Sequence, residues 1–392
     1  MAIVEVTRAF DMSDSSVRVG ELTSTTSDAF EITGGDVVAR YLGDFTFDDS
    51  GVSGVITGYE EITSGVRTVL FDGLAVEAGT LFSEFSGGDL GSVYAAFFSG
   101  NDVMAGSGSA DNLIGFAGDD RMIGNAGNDR MDGGSGADTA VFSGNQNSYN
   151  LVLSPSSVTV EDRRSDGNGT DSLTNIEFLD FDTNLRDEAF SLTSFGGVSG
   201  LAARDFETFI ELYIAYFNRA PDAVGLNFWG TAFANGVTFE QMASQFVDQP
   251  ETRAAYPEGT SNTDFVTAVY DNVFGRIPDQ EGFAFWVDVL NRSAETGVTR
   301  DQFILEVLRG VQDGSADRLY LDSKVDIGAY YAVHRGMSDT DNASAAMALF
   351  DGSEASITEA VAAIDGYYQD ALDPSSGEFL MQVVGVLDNP FV

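Results

Sequence analysis

Five aspartates recur every nine residues in the first half of the chain, without a slip of register. They are Asp102, Asp111, Asp120, Asp129 and Asp138. Carboxylates brought close together repel each other unless a cation lies between them. Carboxylate and carbonyl oxygens are the ligands of Ca²⁺, which accepts six to eight of them. The spacing therefore indicates a repeated cation site, provided that the fold brings these residues together.

Two glycine columns and one apolar column accompany the aspartates. Residues 97–141 divide into the nonapeptides FFSGNDVMA, GSGSADNLI, GFAGDDRMI, GNAGNDRMD and GGSGADTAV. Glycine lets the backbone turn through positive φ, and the triplet after each aspartate predicts a short strand whose middle residue points inward. The first glycine column contains Gly106, Gly115, Gly124 and Gly133. The second contains Gly100, Gly118, Gly127 and Gly136. The apolar column contains Met104, Leu113, Met122, Met131 and Ala140.

One turn and one strand make half a coil, so aspartates 18 residues apart are expected to stack on one edge of a parallel β-roll. The tight turns, at Gly118, Gly127 and Gly136, would add backbone carbonyl oxygens beside each carboxylate. The stacked pairs predict up to three calcium sites, at Asp102/Asp120, Asp111/Asp129 and Asp120/Asp138.

These nonapeptides resemble the repeats-in-toxin, or hemolysin-type, calcium-binding family over residues 97–141. The resemblance implies a β-roll, bound Ca²⁺ and secretion. The pattern departs at Phe97-Phe98, where glycine would open the first nonapeptide, at Ser109 in the second glycine column, and at Ala140 in the apolar column. A flexible Gly/Asp linker is the alternative, but a linker would not keep an apolar column in phase.

The composition limits the classes of partner. The chain has 392 residues, with 62 Asp+Glu against 19 Lys+Arg and a formal net charge of -43. A net negative charge of this size repels nucleic acid and anionic lipid, so we expect neither as a partner. The 30 Phe predict packed domains and not a disordered chain. Adaptation to high salt is an alternative explanation of the charge, and the absence of Cys excludes disulfide and thiol chemistry.

The segments on either side of the nonapeptides are predicted to be β-rich. In residues 1–96, apolar and polar residues alternate in short runs such as AIVEV, SVRVGEL and DAFEIT, which predicts a β-sandwich or irregular coils that continue into the roll. Residues 142–193 predict a β-rich cap and resemble the segment that closes such rolls in this family. Within it, DGNGTD predicts a solvated hairpin turn; a further calcium site at Asp166 and Asp171 is the alternative.

Residues 204–312 contain a longer duplication and predict an all-α repeat domain. ELYIAYFNRAPDAVGLNFW (211–229) matches AVYDNVFGRIPDQEGFAFW (268–286) at a constant offset of 57. Each copy predicts a helix, a tight R-x-P-D turn, a second helix and a third helix that begins with a capping box. Pro221 and Pro278 are predicted in the first turn of the second helices.

Side chains at these turns have two interpretations. The pairs Arg219/Asp222 and Arg276/Asp279 are expected to fix the turns through hydrogen bonds to the backbone, and ligand binding is the alternative. Trp229 and Trp286 are expected in the core, and stacking on sugars is the alternative. This region is similar to a domain of unknown function found in bacterial secreted and surface-layer-like proteins, and to the phycobilisome linker domain. The resemblance implies a helical interaction module.

Residues 313–370 predict a helical extension. Ser356-x-x-Glu359 predicts a capping box there, and the only histidine, His334, is expected to be structural. Residues 371–392 predict a C-terminal type I secretion signal that contains a short apolar helix. The N-terminus lacks the basic and apolar regions of a cleavable signal, and no apolar run is long enough for a membrane span.

The sequence thus predicts a multidomain β-then-α protein that is secreted, extracellular or associated with the cell surface. We expect Ca²⁺, a type I exporter, and the protein itself or cell-envelope or matrix glycans as partners. The chain has no H-E-x-x-H or G-x-S-x-G motif, which favours a non-enzymatic role. A glycan-binding adhesin and a secreted glycan-active hydrolase remain the alternatives.

Overall fold

The computed structural model describes residues 1–13, 21–48, 51–79, 81 and 90–391. Strands dominate up to Ser191 and helices from Ala203, so the predicted order of β before α is confirmed. The chain forms two compact units, residues 1–149 with 157–192, and residues 150–156 with 193–392.

An antiparallel sheet begins the first unit. Strands β2 to β6 pair in chain order, and β1 pairs with β6. Their packed face is aromatic, because Phe30 stacks on Tyr41 and Phe71 contacts Phe98. The predicted segment SVRVGEL lies partly outside the described residues. The strands are β1 (Ile3–Val6), β2 (Glu21–Thr25), β3 (Ala29–Gly34), β4 (Val37–Asp48), β5 (Gly51–Thr63) and β6 (Val66–Glu77).

A helix that the sequence patterns did not predict precedes the nonapeptides. This helix, α1 (Leu90–Phe97), ends where the first nonapeptide lacks its opening glycine. Phe97 and Phe98 are buried against the ring of Phe71. The Phe-Phe pair therefore fills the aromatic core of the antiparallel sheet instead of forming a turn.

Each nonapeptide contributes one strand, and successive strands alternate between two parallel ladders. The ladder of β7, β9 and β11 joins the antiparallel sheet, because β7 also pairs in parallel with β1. The second ladder contains β8 and β10. The second residues of all five strands, which form the apolar column, are fully buried as predicted. The strands are β7 (Val103–Ala105), β8 (Asn112–Ile114), β9 (Arg121–Ile123), β10 (Arg130–Asp132) and β11 (Thr139–Asn145).

The strands after the nonapeptides extend both ladders. Strand β15 pairs in parallel with β11, and β14 pairs in parallel with β10. Strands β13 and β16 then pair antiparallel with β14 and β15. The strands are β12 (Tyr149–Leu153), β13 (Val158–Asp162), β14 (Thr170–Thr174), β15 (Phe178–Thr183) and β16 (Phe190–Ser191).

The second unit is mainly helical, and α3, α4 and α5 correspond to α7, α8 and α10 in the duplication. Both predicted capping boxes are present, at Thr238/Gln241 and Thr299/Gln302. The helices are α2 (Leu192–Phe195), α3 (Ala203–Phe217), α4 (Ala223–Ala234), α5 (Phe239–Val247), α6 (Pro250–Ala255), α7 (Asn262–Phe274), α8 (Gln280–Asn291), α9 (Ser293–Thr296), α10 (Arg300–Arg309), α11 (Ala316–Ala329), α12 (Thr340–Ala348) and α13 (Glu354–Ala371).

The only lysine of the chain connects the two helical copies. Lys324, in α11, is buried, and its Nζ donates to Oδ1 of Asn218 at the end of α3 and to the carbonyl oxygen of Asn272 in α7. His334 ends a π-helical turn (Tyr330–His334) that follows α11, and burial lowers its pKa.

Two predicted helix starts are wrong by a few residues. Pro221 and Pro278 lie before the N-caps Asp222 and Asp279 and outside the helices, because each aspartate side chain accepts a backbone N–H of the first helical turn. The predicted capping box at Ser356 is also wrong. Ser356 lies inside α13, whose N-cap is Ser353.

The short apolar helix predicted near the C-terminus is wrong. Residues Leu380–Val383 form strand β17, which pairs in parallel with Asn150–Leu153 within the second unit. Leu380, Met381 and Val383 are buried there. The pairing supplies the backbone hydrogen bonds, so the segment buries its apolar side chains as a strand and not as a helix.

Candidate metal centre

Each repeat aspartate lies directly before a ladder strand, so parallel strand pairing brings aspartates 18 residues apart together. The N–H of Asp102 donates to Oδ1 of Asp120, and the N–H of Asp120 donates to Oδ1 of Asp138, each at 2.8 Å. On the other edge, the N–H of Asp111 donates to Oδ1 of Asp129 at 2.8 Å. All three pairs singled out from the sequence are therefore neighbours in the structure.

The aspartates thus form two rows, Asp102–Asp120–Asp138 and Asp111–Asp129, which we call the aspartate ladders. Residues outside the nonapeptides close both ends of these ladders. The N–H groups of Ala2 and Phe10 donate to Oδ1 of Asp102 and Oδ1 of Asp111. At the other end, Oδ1 of Asp171 accepts the N–H of Asp129, and Oε2 of Glu177 accepts the N–H of Asp138, each at 2.8 Å.

Sequence reasoning missed most of these closing residues. Ala2 and Phe10 carry no repeat signal, whereas Asp171 and Glu177 are each followed after one residue by an apolar residue, Leu173 and Leu179, as in the nonapeptides. The predicted hairpin is present, since β13 and β14 pair antiparallel on either side of it, but Asp171 is only 1% exposed and does not belong to a solvated turn. Asp166 is exposed and has no part in the ladder contacts described.

Four of the repeat aspartates each have one buried oxygen that no described residue satisfies. Oδ2 of Asp102, Asp120, Asp129 and Asp138 has no hydrogen-bond partner among the described residues. Oδ2 of Asp111 differs, because it accepts the N–H and the hydroxyl of Ser107 at 2.6 and 3.0 Å. A buried carboxylate oxygen without a partner is costly, so the four unpartnered oxygens need an explanation.

The pKa values of the buried aspartates also indicate that a positive charge is missing. Burial raises the pKa of Asp120 to about 7, with repulsion from Asp138 and Asp102 adding to it, and burial raises the pKa of Asp129 to about 6. Burial also raises the pKa of Asp102 and Asp138, and it raises the pKa of Asp171 to about 8. Their charged forms are therefore disfavoured unless positive charge is supplied.

Carbonyl oxygens lie beside these carboxylates. A Cβ added to Gly115 would lie within 2.5 Å of both Oδ2 of Asp120 and the carbonyl oxygen of Gly133 in the next turn. A Cβ at Gly133 would meet Oδ2 of Asp138 and the carbonyl oxygen of Asn175 in the same way. The first glycine column thus leaves space in which a carboxylate of one turn and a carbonyl of the next converge.

The second glycine column lets successive turns stack closely. Gly118 and Gly136 have φ of +117° and +147°, and a Cβ on either would overlap the backbone of the turn 18 residues earlier, at Gly100 and at Gly118. Gly127, at φ +139°, stacks in the same way on Ser109, so the serine departure is accommodated. That the carbonyls of Gly118, Gly127 and Gly136 bind calcium stays a prediction.

The donor set suits calcium. In the part of the chain that the structure describes, no three His, Cys, Asp or Glu side chains form a metal cluster. Zinc takes Cys and His ligands, and this chain has no Cys and one His. Calcium combines carboxylate with backbone carbonyl oxygens, which are the atoms that converge here.

The helical unit has two grooves at its duplicated aromatic residues. Arg219 is buried, forms two hydrogen bonds with Glu251 at 2.6 and 2.8 Å, and donates to the carbonyl of Ala220, which fixes the turn as expected. A groove of about 340 Å³ lies beside it. A second groove, of about 390 Å³, is lined by Phe285 and Trp286.

Two protein-family models match the chain. The RTX calcium-binding nonapeptide repeat matches residues 98–130 and 106–140. The domain of unknown function DUF4214 matches residues 243–309, which covers the second helical copy. No curated protein matches the chain. The chain thus carries RTX nonapeptide repeats, which bind Ca²⁺, and a C-terminal DUF4214 domain.

Proposed function

We propose that this protein is secreted, folds its β-rich half around calcium outside the cell, and acts there without enzymatic activity. The observation that carries the proposal is that the buried Oδ2 atoms of Asp102, Asp120, Asp129 and Asp138 have no hydrogen-bond partner among the residues that the structure describes. A calcium ion between successive turns would supply both the missing partner and the neutralising charge.

We infer that the nonapeptides form a parallel β-roll with calcium at Asp102/Asp120, Asp111/Asp129 and Asp120/Asp138. The alternation of strands between two parallel ladders supports the roll. The convergence of a carboxylate and a carbonyl oxygen beside Gly106 and beside Gly115 supports the sites at Asp111/Asp129 and Asp120/Asp138. The turns at Gly118, Gly127 and Gly136 would complete the coordination through their carbonyl oxygens.

Calcium would act as the folding switch. Extracellular calcium modules bind with dissociation constants of roughly 10⁻⁴–10⁻³ M, so the sites would stay empty in the cytoplasm. The net charge of -43 and the buried carboxylates would then disfavour the compact state. Outside, calcium would bind only the folded state and stabilise it, by about 2.7 kcal/mol per site if its concentration reached about 100 times the dissociation constant.

Export in an unfolded form would suit this switch. A type I exporter would recognise residues 371–392, whose apolar part is buried in β17 in the folded protein and accessible only before folding. No helix among the described residues is long and apolar enough to cross a membrane. The helical half would present a surface to the cell envelope, the matrix or other copies of the protein.

Glycan binding is the second candidate function, and the groove at Trp286 favours it. Phe285 is 57% exposed, and the groove also contains the polar side chains of Gln302, Glu306 and Arg309. An aromatic ring beside hydrogen-bonding groups suits a sugar face. Glycan-array binding that is lost in Trp286→Ala and kept in Phe228→Ala would support this function, and no binding by the wild type would exclude it for the glycans tested.

The folding switch is tested by adding calcium to EDTA-stripped protein while following far-UV circular dichroism. The wild type should gain β-signal cooperatively at sub-millimolar to millimolar calcium, roughly the range of extracellular modules. Asp120→Ala and Asp129→Ala should need more calcium or show no transition. An unchanged spectrum and melting temperature in the wild type would contradict the proposal, and the acidity would then be explained by salt adaptation.

A further inference from the structure

Residues 166–174 lie beyond the matched nonapeptides but correspond to them position by position. DGNGTDSLT carries glycine, aspartate and an apolar residue at the fourth, sixth and eighth positions, as Gly169, Asp171 and Leu173. Leu173 is 2% exposed and pairs with Met131 in the parallel ladder. Gly169 has φ +88°, and a Cβ there would overlap the carbonyl oxygen of Gly127. The segment therefore stacks on the fourth nonapeptide as a further coil would.

The hydrogen bonds between these two turns repeat those inside the array. The N–H of Asp129 donates to Oδ1 of Asp171 at 2.8 Å, the same distance as from the N–H of Asp111 to Oδ1 of Asp129. Thr170 N–H also donates to Oδ1 of Asn128 at 3.0 Å. The separation along the chain is 42 residues instead of 18, because β11, β12 and β13 are inserted before this turn. Strand pairing, and not sequence period, thus sets the stacking.

Asp129 also has an oxygen that is free to bind a ligand, and a Cβ added to Gly124 would lie 2.4 Å from this oxygen, Oδ2. Asp129 is 2% exposed, and its Oδ2 has no partner in the described part of the chain. In the neighbouring ladder, Oδ2 of Asp120 and Oδ2 of Asp138 each converge with a carbonyl oxygen of the next turn. The next turn for Asp129 is residues 166–171.

Two other acidic side chains near this turn, Asp162 and Asp166, are not partners of Oδ2 of Asp129. Asp162 is already satisfied by Arg164 and by the N–H of Asn168 at 2.7 Å. Asp166 replaces the first glycine of the pattern, and its side chain is exposed to solvent.

We propose that residues 166–174 are a sixth, detached nonapeptide, and that Asp129 and Asp171 hold a calcium ion between their turns. This inference rests on the proposed function and adds a site that the uninterrupted repeats do not contain. It also explains why Asp171 is buried although it lies outside the periodic array.

The test counts calcium ions bound to folded protein by native mass spectrometry, for the wild type, Asp171→Asn and Asp166→Asn. In Asp171→Asn the side-chain amide keeps an oxygen that can accept the N–H of Asp129 but loses the charge. Asp166→Asn is the matched control, because it removes the same charge from the same turn at an exposed position. Hydrogen exchange at the N–H of Asp129 reports whether the turn is still stacked.

We expect Asp171→Asn to bind one calcium ion fewer than the wild type, with the N–H of Asp129 still protected, and Asp166→Asn to match the wild type. Equal calcium counts in Asp171→Asn and the wild type would overturn the inference while leaving the proposed function intact. Loss of all calcium from Asp171→Asn would also overturn it, since the site would not be separable. A wild type that binds no calcium would instead contradict the proposed function itself.

Discussion

Replacing Asp120 by asparagine should stabilise the calcium-free protein and destabilise the calcium-bound protein. Oδ1 of Asp120 accepts the N–H of Asp102, and an asparagine oxygen can accept the same hydrogen bond. Oδ2, buried without a partner among the described residues, would become an amide nitrogen that can donate toward the carbonyl of Gly133. The substitution therefore changes the charge of the site with little change in its shape.

The magnitude follows from the pKa of Asp120, which burial, aided by neighbouring carboxylates, raises from 3.8 to about 7. At about 1.4 kcal/mol per pKa unit, the ionised side chain destabilises the calcium-free folded state by about 4 kcal/mol at pH 8. Asp120→Asn removes this penalty. With calcium at about 100 times its dissociation constant, loss of both sites that contain Asp120 would cost about 5 kcal/mol. The net destabilisation of Asp120→Asn in calcium is therefore about 1 kcal/mol, against a stabilisation of about 4 kcal/mol in EDTA.

The assay is urea unfolding at pH 8, followed by far-UV circular dichroism, once in EDTA and once in excess calcium. Asp119→Asn is the control, because Asp119 is exposed and carries the same charge one residue away. We expect the sign of the change to reverse between the two conditions for Asp120→Asn only. A variant that is less stable by the same amount in EDTA and in calcium would refute the electrostatic argument.

Three further predictions concern pH, the glycine column and the core. Burial raises the pKa of Asp129 to about 6 and that of Asp171 to about 8. At a pH above its pKa each side chain is ionised and destabilises the calcium-free fold, and protonation relieves this penalty as the pH falls through the pKa. Melting temperature in EDTA should therefore rise from pH 8 to pH 5, while calcium affinity falls over the same range because protons compete; a melting temperature that falls with acidification would contradict this. Gly118→Ala should destabilise the calcium-bound protein by about 2 kcal/mol or more in urea unfolding, because its φ is +117° and its Cβ would overlap the neighbouring coil, whereas Gly108→Ala meets nothing within 4 Å and should be nearly neutral. Met122→Ala should cost about 2–5 kcal/mol in the same measurement because the side chain is fully buried, and a cost below about 1 kcal/mol would show that this apolar column is not a packed core.

The periodic part of the site could be predicted from the sequence, because a fixed offset along the chain becomes a fixed neighbour in space. The stacking of Asp102 on Asp120, and the burial of Met104 and Met122, follow from nine-residue spacing alone. The duplicated helices could be predicted for a similar reason, since their capping residues and aromatic spacing are local signals. The caps at Thr238 and Thr299 are where the sequence places them.

The ends of the array could not be predicted, because long-range strand pairing has no fixed offset. Ala2 reaches Asp102 because β1 pairs with β7, and Asp171 reaches Asp129 across an insertion. The C-terminal strand was missed for the same reason, since its partner lies at residues 150–153. Local apolar content there does not distinguish a helix from a strand that is completed by a distant neighbour.

The most direct test of the central claim is a crystal structure grown with calcium, with anomalous scattering used to locate the ions. The proposal predicts calcium within about 2.3–2.6 Å of the aspartate Oδ2 atoms, first of all at Asp120 with the carbonyl oxygen of Gly133 on the same ion. Calcium found only at exposed surface carboxylates, with Oδ2 of Asp120 and Asp129 left without a ligand, would contradict it.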